Sequence, residues 1–502
     1  MQTSQHHSRS SMPETLCYNS PVRKLEVYSL QPLNPQLLAC NNITDENGYS
    51  INVSQHRYCT LESSSLSVDT SLSQQESQSQ SPCTNHCSAV EDANVLKHKL
   101  KELETVMLGP DLDFGKTQDE VEIDSWRQIM DAIPRRDLKQ VLIACCMAVS
   151  NNDLVMAQWL VSELRQLVSV FGDPLQRLGA YMLEGLVARL SASGSSIYKS
   201  LKFREPASSE LLTCMHVVYE ACPYFKFGHM AANGAIAEAM KVESRVHIID
   251  FQIGQGSQWV PLIQAFAIRP GGPPRIRITG FDDFRSAYAR GGGPNIVGHR
   301  LSKLAKKLKV PFEFHAAAKP GSEARVENLA IRPGEALAVN FAFFLHRIPE
   351  NHQERMVRMV RSVNPKVVTL VEQESNTNTA ELYPRFMETL DYYSAMFESI
   401  DVALPREDKE RINVEQHCLA RDVVNVIACE GSERVERHEL LRKWSLQFEK
   451  AGFSRIPLNR LVNATIERLL KSHCGRYRVE ERDGALYLGW LNRDLVVSCA
   501  WK

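Results

Sequence analysis

The sequence predicts an α/β fold with a mostly parallel sheet, helices on both faces and an antiparallel C-terminal edge. Three observations carry that prediction. Apolar runs recur at VHIIDF (246–251), RIRITGF (275–281), FEFHAAA (312–318), ALAVNFAFFL (336–345) and KVVTLVEQ (366–373), with helical patterns between them. Continuous apolar strands alternating with amphipathic helices belong to a sheet buried on both faces. The first run ends in an acid, Asp250, and passes through Gly254 and Gly256 into an apolar helix-like stretch. Near the C-terminus, RYRVEERDGALYLGWLNRDLVVSCAW sets strands close together, with Asp483-Gly484 and Asn492-Arg493-Asp494 as turn signals.

Composition narrows the class. A hydrophobic content of 43% supports a sizeable core. The 58 basic and 59 acidic side chains leave a formal net charge of -1, so any hold on nucleic acid must come from a local patch. Apolar runs such as VLIACCMAV (141–149) are shorter than the roughly 20 residues that span a bilayer, and no membrane role is expected. The 13 cysteines are an odd number, and the opening MQTSQHHSRSSMPET is polar. Both predict a reducing compartment, nucleus or cytosol, with free thiols.

Taken in order, residues 1–90 hold 18 serines and 9 glutamines and few aromatic residues. Such a stretch buries too little apolar surface to offset its ordering entropy, which predicts a disordered tail. Over 91–130 an amphipathic helix and linker are expected, from Leu96, Leu100, Leu103 and Met107 ahead of Gly109-Pro110. The globular region starts at 131. Helices fill 131–240, with Asp153 and Asp173 placed as N-caps and Pro174 at the first helical position. Leu160, Leu164, Leu167 and Phe171 form one stripe, and Leu175, Leu178, Met182 and Leu186 another; this spacing reads as core. The α/β core follows over 241–502.

Strand, acid, glycine turn and helix is how a Rossmann-type sheet cradles a nucleotide-like cofactor at the carboxyl ends of its strands. The pattern is closest to S-adenosylmethionine methyltransferases. Asp250, Gly254, Gly256 and Asp282 are the candidate ligand crevice, with Asp283 beside them. Gln252 stands where the methyltransferase loop has its first glycine, and a side chain there crowds the approach that glycine permits. No Gly-x-Ser-x-Gly elbow, Walker loop or His-Glu-x-x-His is present, so no catalytic residue is assigned and no cofactor is expected. Cys83, His86 and Cys87 lack a second half-site for zinc. His247, inside an apolar strand, reads as a hydrogen-bonded core histidine. Trp490 and Trp501 read as core anchors, and Arg434, Glu436 and Arg437 as surface charge pairs, with a specific buried bridge as the alternative.

Together these residues resemble the plant GRAS family of transcriptional regulators. Val246-His247-Ile248-Ile249-Asp250 matches the family's VHIID element, and leucine-rich regions flank it. Pro365, Tyr392-Tyr393 and Arg421-Asp422 match its PFYRE element with Tyr for Phe and Asp for Glu; Ser498, Ala500 and Trp501, with Cys499 inserted, match its SAW element after Trp490. The stretches LKHKLKELETVMLGPD and EIDSWRQIMDAIPRRDLKQVL are similar to the branch named for phytochrome A signal transduction.

The resemblance implies a methyltransferase-like Rossmann core under an α-helical cap. It implies a nuclear, partly cytoplasmic co-regulator without enzyme activity that pairs with other GRAS proteins and with DNA-binding factors. It makes Leu160, Leu164, Leu167, Leu301, Leu304 and Leu308 candidate partner-contact faces. Arg300, Lys303, Lys306, Lys307 and Lys309, with no acid between 295 and 312, are candidate DNA contacts. No DELLA sequence is present, so binding to the gibberellin receptor is not expected. The rival expectation is a methyltransferase or small-ligand sensor using the crevice.

Overall fold

The computed structural model describes residues 137–191, 208–282, 293–317 and 319–502. The expected tail, the 91–130 helix and linker, the Cys83/His86/Cys87 group and Asp283 lie outside the described residues.

The helical part follows its caps. Asp137 opens α1 (Leu138–Ser150), Asp153 opens α2 (Leu154–Leu167), and Asp173 opens α3 (Pro174–Leu190). Each carboxylate accepts a backbone N–H of the first turn, and Gln176 returns a bond to the Asp173 backbone. Leu160 and Leu164 are fully buried and Leu167 half-buried. The stripe ends there, because Phe171 lies beyond α2 and is 68% exposed. Helices α4 (Ser208–Ala221) and α5 (Tyr224–Ala239) complete this layer. Helix α5 lies close on the sheet, since a Cβ on Gly228 would stand 2.4 Å from Val371 Cγ1.

The strands are β1 (Arg245–Asp250), β2 (Arg275–Gly280), β3 (Phe312–Ala316), β4 (Ala336–Ala342), β5 (Val367–Gln373), β6 (Arg455–Ile456), β7 (Tyr477–Arg482), β8 (Ala485–Trp490) and β9 (Arg493–Trp501). Their order is β3-β2-β1-β4-β5-β9-β8-β7, with β6 pairing β9. The first five run parallel, and β9 turns the sheet antiparallel against β5. The last turn is tighter than the sequence signal: Leu491 takes φ 49°, and Arg493 and Asp494 already belong to β9.

Between the strands lie α6 (Trp259–Ala267), α7 (Gly293–Lys307), α8 (Glu350–Ser362) and α9 (Leu382–Ala403). Next come α10 (Lys409–Val414), a π turn at Glu415–Leu419, α11 (Ala420–Ala428), α12 (Leu441–Lys450) and α13 (Arg460–Leu470).

Strand side chains alternate between two cores. Ile248, Ala338, Val367 and Val371 enter one, while Ile249, Val339, Val368 and Leu370 enter the other. Period-two alternation in strands buried on both faces explains why their sequences read as unbroken apolar runs. Each buried valine, leucine or isoleucine among them contributes about 1.5–3 kcal/mol. The helices are tied across the cap by a buried ion network. The Arg177 guanidinium of α3 donates to Glu415 at 3.1 Å and to Asp401 of α9 at 2.8 Å, and Arg411 of α10 also donates to Glu415.

Candidate functional site

The order reverses direction between β1 and β4, so the carboxyl ends of these strands form the switch point where doubly wound sheets take ligands. Asp250 ends β1 there and is 1% exposed. Its carboxylate is enclosed by donors from its own chain. Trp259 Nε1–H donates at 2.8 Å, and the Asn340 amide and the Gln252 backbone N–H each donate at 3.2 Å. Asn340 exchanges amide bonds with Gln258 at 3.1 and 3.2 Å and accepts from Thr369 Oγ1 at 2.8 Å, while the Asn233 amide donates to the Gln258 carbonyl at 2.6 Å. A buried polar chain thus runs from α5 through α6 to β4 and β5.

Gln252 fills the other half of the crevice. Its side-chain amide donates to Asp282 Oδ1 at 3.1 Å. Asp282, the second acid of the candidate crevice, is buried and engaged by this amide. Gly254 and Gly256 take φ 51° and 70°, the left-handed region that disfavours side chains. A Cβ on Gly256 would also stand 2.5 Å from Val297 Cγ1 of α7. Both glycines are therefore explained by the turn and by helix packing. Burial raises the Asp250 carboxyl to about 6, against three stabilising hydrogen bonds.

Other candidates resolve as follows. His247 is a core histidine: Nε2 meets Thr279 Oγ1 at 2.8 Å, and Nδ1 accepts from Arg277 at 3.0 Å. Leu301 is buried, Leu308 packs half-buried against the core and Leu304 is half-buried. Leu160 and Leu164 are likewise buried and Leu167 is half-buried, as expected where an amphipathic helix turns its leucine stripe toward the core. Arg300 is partly committed, donating to the Gln255 carbonyl at 3.1 Å, whereas Lys303, Lys306, Lys307 and Lys309 are exposed.

In the PFYRE-like set, Pro365 is buried, and Tyr392 and Tyr393 meet edge-to-face at 5.2 Å inside the core. Tyr392 Oη donates to the Leu495 carbonyl at 2.8 Å. Arg421 and Asp422 are half-buried at the start of α11, and burial together with the Glu436 charge raises the Asp422 carboxyl. In the SAW set, Ser498, Ala500 and Trp501 lie buried in β9. Trp501 stacks on Phe448 at 5.0 Å beneath Arg455, and Trp490 meets Tyr477 edge-on at 4.8 Å.

The sequence reading missed one group. Arg434, Glu436 and Arg437, read as surface pairs or a buried bridge, are at most 8% exposed; His346 and His438 beside them were not singled out. Glu436 faces the buried His346 and His438, whose rings lie 4.4 Å apart. Burial disfavours the charge on His346, but the carboxylates of Glu372 and Glu436 outweigh it and hold its pKa at about 9. Burial, aided by the His346 charge, holds His438 well below the ordinary histidine range. The available signal was Glu436-Arg437-His438, whose first and third side chains share one side of an extended segment.

A mostly parallel Rossmann-type sheet under a helical cap, with its switch-point acids bonded to their own chain, defines a cofactor-type fold. The model of the GRAS domain family matches residues 138–502. Scarecrow-like transcription factor PAT1 of Arabidopsis thaliana is 59% identical over 97% of this chain and 100% of its own length. Chitin-inducible gibberellin-responsive protein 2 of Oryza sativa subsp. japonica is 58% identical over 86% of this chain and 82% of its own. The crystal structure of SCL7 from Oryza sativa matches with TM-score 0.66 and 34% identity, covering 73% of this chain and 99% of that one. The chain belongs to the GRAS domain family of plant transcriptional regulators, in the PAT1 branch.

Proposed function

We propose that this chain acts in the nucleus as a transcriptional co-regulator through protein contacts, using its Rossmann-type domain as a scaffold rather than as an enzyme. The carrying observation is the Gln252–Asp282 and Asp250–Trp259–Asn340 bonding at the switch point. A nucleotide-like ligand would have to displace these buried bonds, each costing about 1–3 kcal/mol if left unmade. Partner surface is available elsewhere. Met147, Leu154 and Val155, around the α1–α2 turn, are 47–50% exposed, and exposed apolar residues of this kind suit a protein partner.

Calorimetric titration with S-adenosylmethionine is expected to give no binding isotherm; a one-to-one isotherm would restore the enzyme reading. Tethered to a heterologous DNA-binding domain in plant protoplasts, the chain is expected to change reporter output. Unchanged output with confirmed nuclear protein would reject the co-regulator reading. The expected lack of gibberellin-receptor binding rests on the missing DELLA sequence, and hormone-dependent capture by that receptor would overturn it.

A second reading rests on α7. Lys303, Lys306 and Lys307 of α7 and Lys309 just after it are exposed, and the sequence between 295 and 312 holds no acid. Four phosphate contacts predict a log–log salt slope of about -3 to -4 for duplex binding. Charge reversal at Lys303, Lys306 and Lys307 should flatten that slope. A titration across about 50–200 mM salt checks it, and affinity indifferent to salt removes direct DNA contact.

A further inference from the structure

The group that the sequence reading missed carries a site of its own. His346 sits in the single turn Leu345–Arg347 after β4. Glu436 and His438 come from residues 429–440, which cross the same end of the sheet without helix or strand. Asn425 of α11 holds that segment by accepting from the Val435 and Glu436 backbone N–H groups at 2.9 and 3.0 Å. His346 Nε2 is 3.1 Å and His438 Nε2 3.8 Å from the same atom, Glu436 Oε2. All three side chains are buried, with one ligand atom of each within 4.8 Å of the others.

Both ring nitrogens of His438 have no hydrogen-bond partner, and His346 Nε2 and Glu436 Oε2 face each other at 3.1 Å. Buried polar atoms are nearly always paired, so a buried imidazole with both nitrogens unserved beside this pair points to an occupant. A proton on His346 would serve Glu436 but leave both nitrogens of His438 unsatisfied.

We propose that His346, Glu436 and His438 bind a zinc ion. Two imidazole nitrogens and one carboxylate oxygen are a donor set that zinc takes, and magnesium and calcium, which prefer oxygen, do not. Tetrahedral bonds of about 2.0–2.2 Å separate ligand atoms by roughly 3.3–3.5 Å, and the observed 3.1 and 3.8 Å bracket that spacing. The supporting groups are in place. His346 Nδ1 is 2.6 Å from Glu372 Oε2, and Glu372 Oε1 accepts from the Phe344 and Leu345 backbone N–H groups at 3.0 and 2.7 Å. A carboxylate so anchored holds Nδ1 protonated and turns the Nε2 lone pair inward. Arg347 lies 3.4 Å from Glu436 Oε1, leaving Oε2 for the ion. Zinc would replace the proton between His346 and Glu436, take water in a fourth position, and fasten segment 429–440 to the end of β4.

The test uses the full chain, stripped with chelator and titrated with zinc against a chromophoric competitor. X-ray absorption of the loaded protein accompanies the titration. One tight equivalent is expected, with a nitrogen and oxygen first shell that includes imidazole. His438→Ala should abolish that equivalent, and Glu372→Gln, which touches no metal, should weaken it about 10–100-fold. Because the chain has 13 cysteines, a sulfur-dominated first shell in the wild-type protein would overturn the proposal. So would no stoichiometric uptake, or full retention of zinc by folded His438→Ala. The wild-type spectrum decides even if that variant fails to fold.

Discussion

Replacing Glu415 with alanine is expected to cost the fold about 3 kcal/mol, read as a lower denaturant midpoint at unchanged slope. Glu415 is 1% exposed and is shared by Arg177 and Arg411, both fully buried. Removing one partner of a buried ion pair typically costs about 3–5 kcal/mol, because a charge is left without compensation. The low end applies. Arg177 keeps Asp401 at 2.8 Å and the Gly172 carbonyl at 2.8 Å, and Arg411 keeps the Arg406 carbonyl. Burial outweighs both guanidiniums at Glu415, raising its carboxyl above the usual range. The network is therefore more costly to break than it is valuable to have. Replacing Arg177, Glu415 and Arg411 together by methionine is accordingly expected to cost less than Glu415→Ala alone. A triple variant less stable than the single one would refute this account.

Asp250 should subtract stability as pH rises from about 4 through 6, against the gain expected over the same range from the buried His229, His247 and His438, which burial holds below the ordinary histidine value. Its carboxyl is raised from 3.8 to about 6, mainly by burial. A folded-state value above the unfolded one means the native state holds the proton more tightly. The stabilisation is thus complete below the unfolded value and is lost as pH climbs through the folded one. A shift of that size corresponds to about 2–3 kcal/mol. Glu374, raised to about 7 chiefly by burial, acts in the same direction and extends the decline upward. Urea denaturation across this range, compared with Asp250→Asn, isolates the Asp250 share. The variant loses the titration, although its amide N–H₂ opposes the Trp259 N–H and lowers its stability throughout. Parallel wild-type and variant profiles would refute the assignment.

Much of the fold was legible because its signals are local. The apolar runs of β1, β2, β4 and β5 end within a few residues of their sequence limits, since a strand buried on both faces needs apolar residues at every position. Asp153 and Asp173 were readable as caps because a cap acts on N–H groups two or three residues away. The leucine stripes of α2 and α3 were readable as core faces, because their spacing places them on one side of each helix, and Leu160, Leu164, Leu178, Met182 and Leu186 are buried. Gln252 was legible as an obstacle in a glycine turn, though nothing nearby in the chain identified Asp282, 30 residues on, as its partner.

The sequence by itself thus determined the alternation of strands and helices, the helix starts, the antiparallel edge and the family motifs. Each depends on spacing within one element. The tertiary structure decided that Asp250 bonds Asn340 across 90 residues, and that Arg177 bonds Glu415 across 238. It also decided that Glu436 lies buried between two histidines instead of at the surface. The physical reason is common to all three. A charged or amide side chain reads as solvated in sequence, and only the packing of distant elements removes its water and supplies the partner that burial requires.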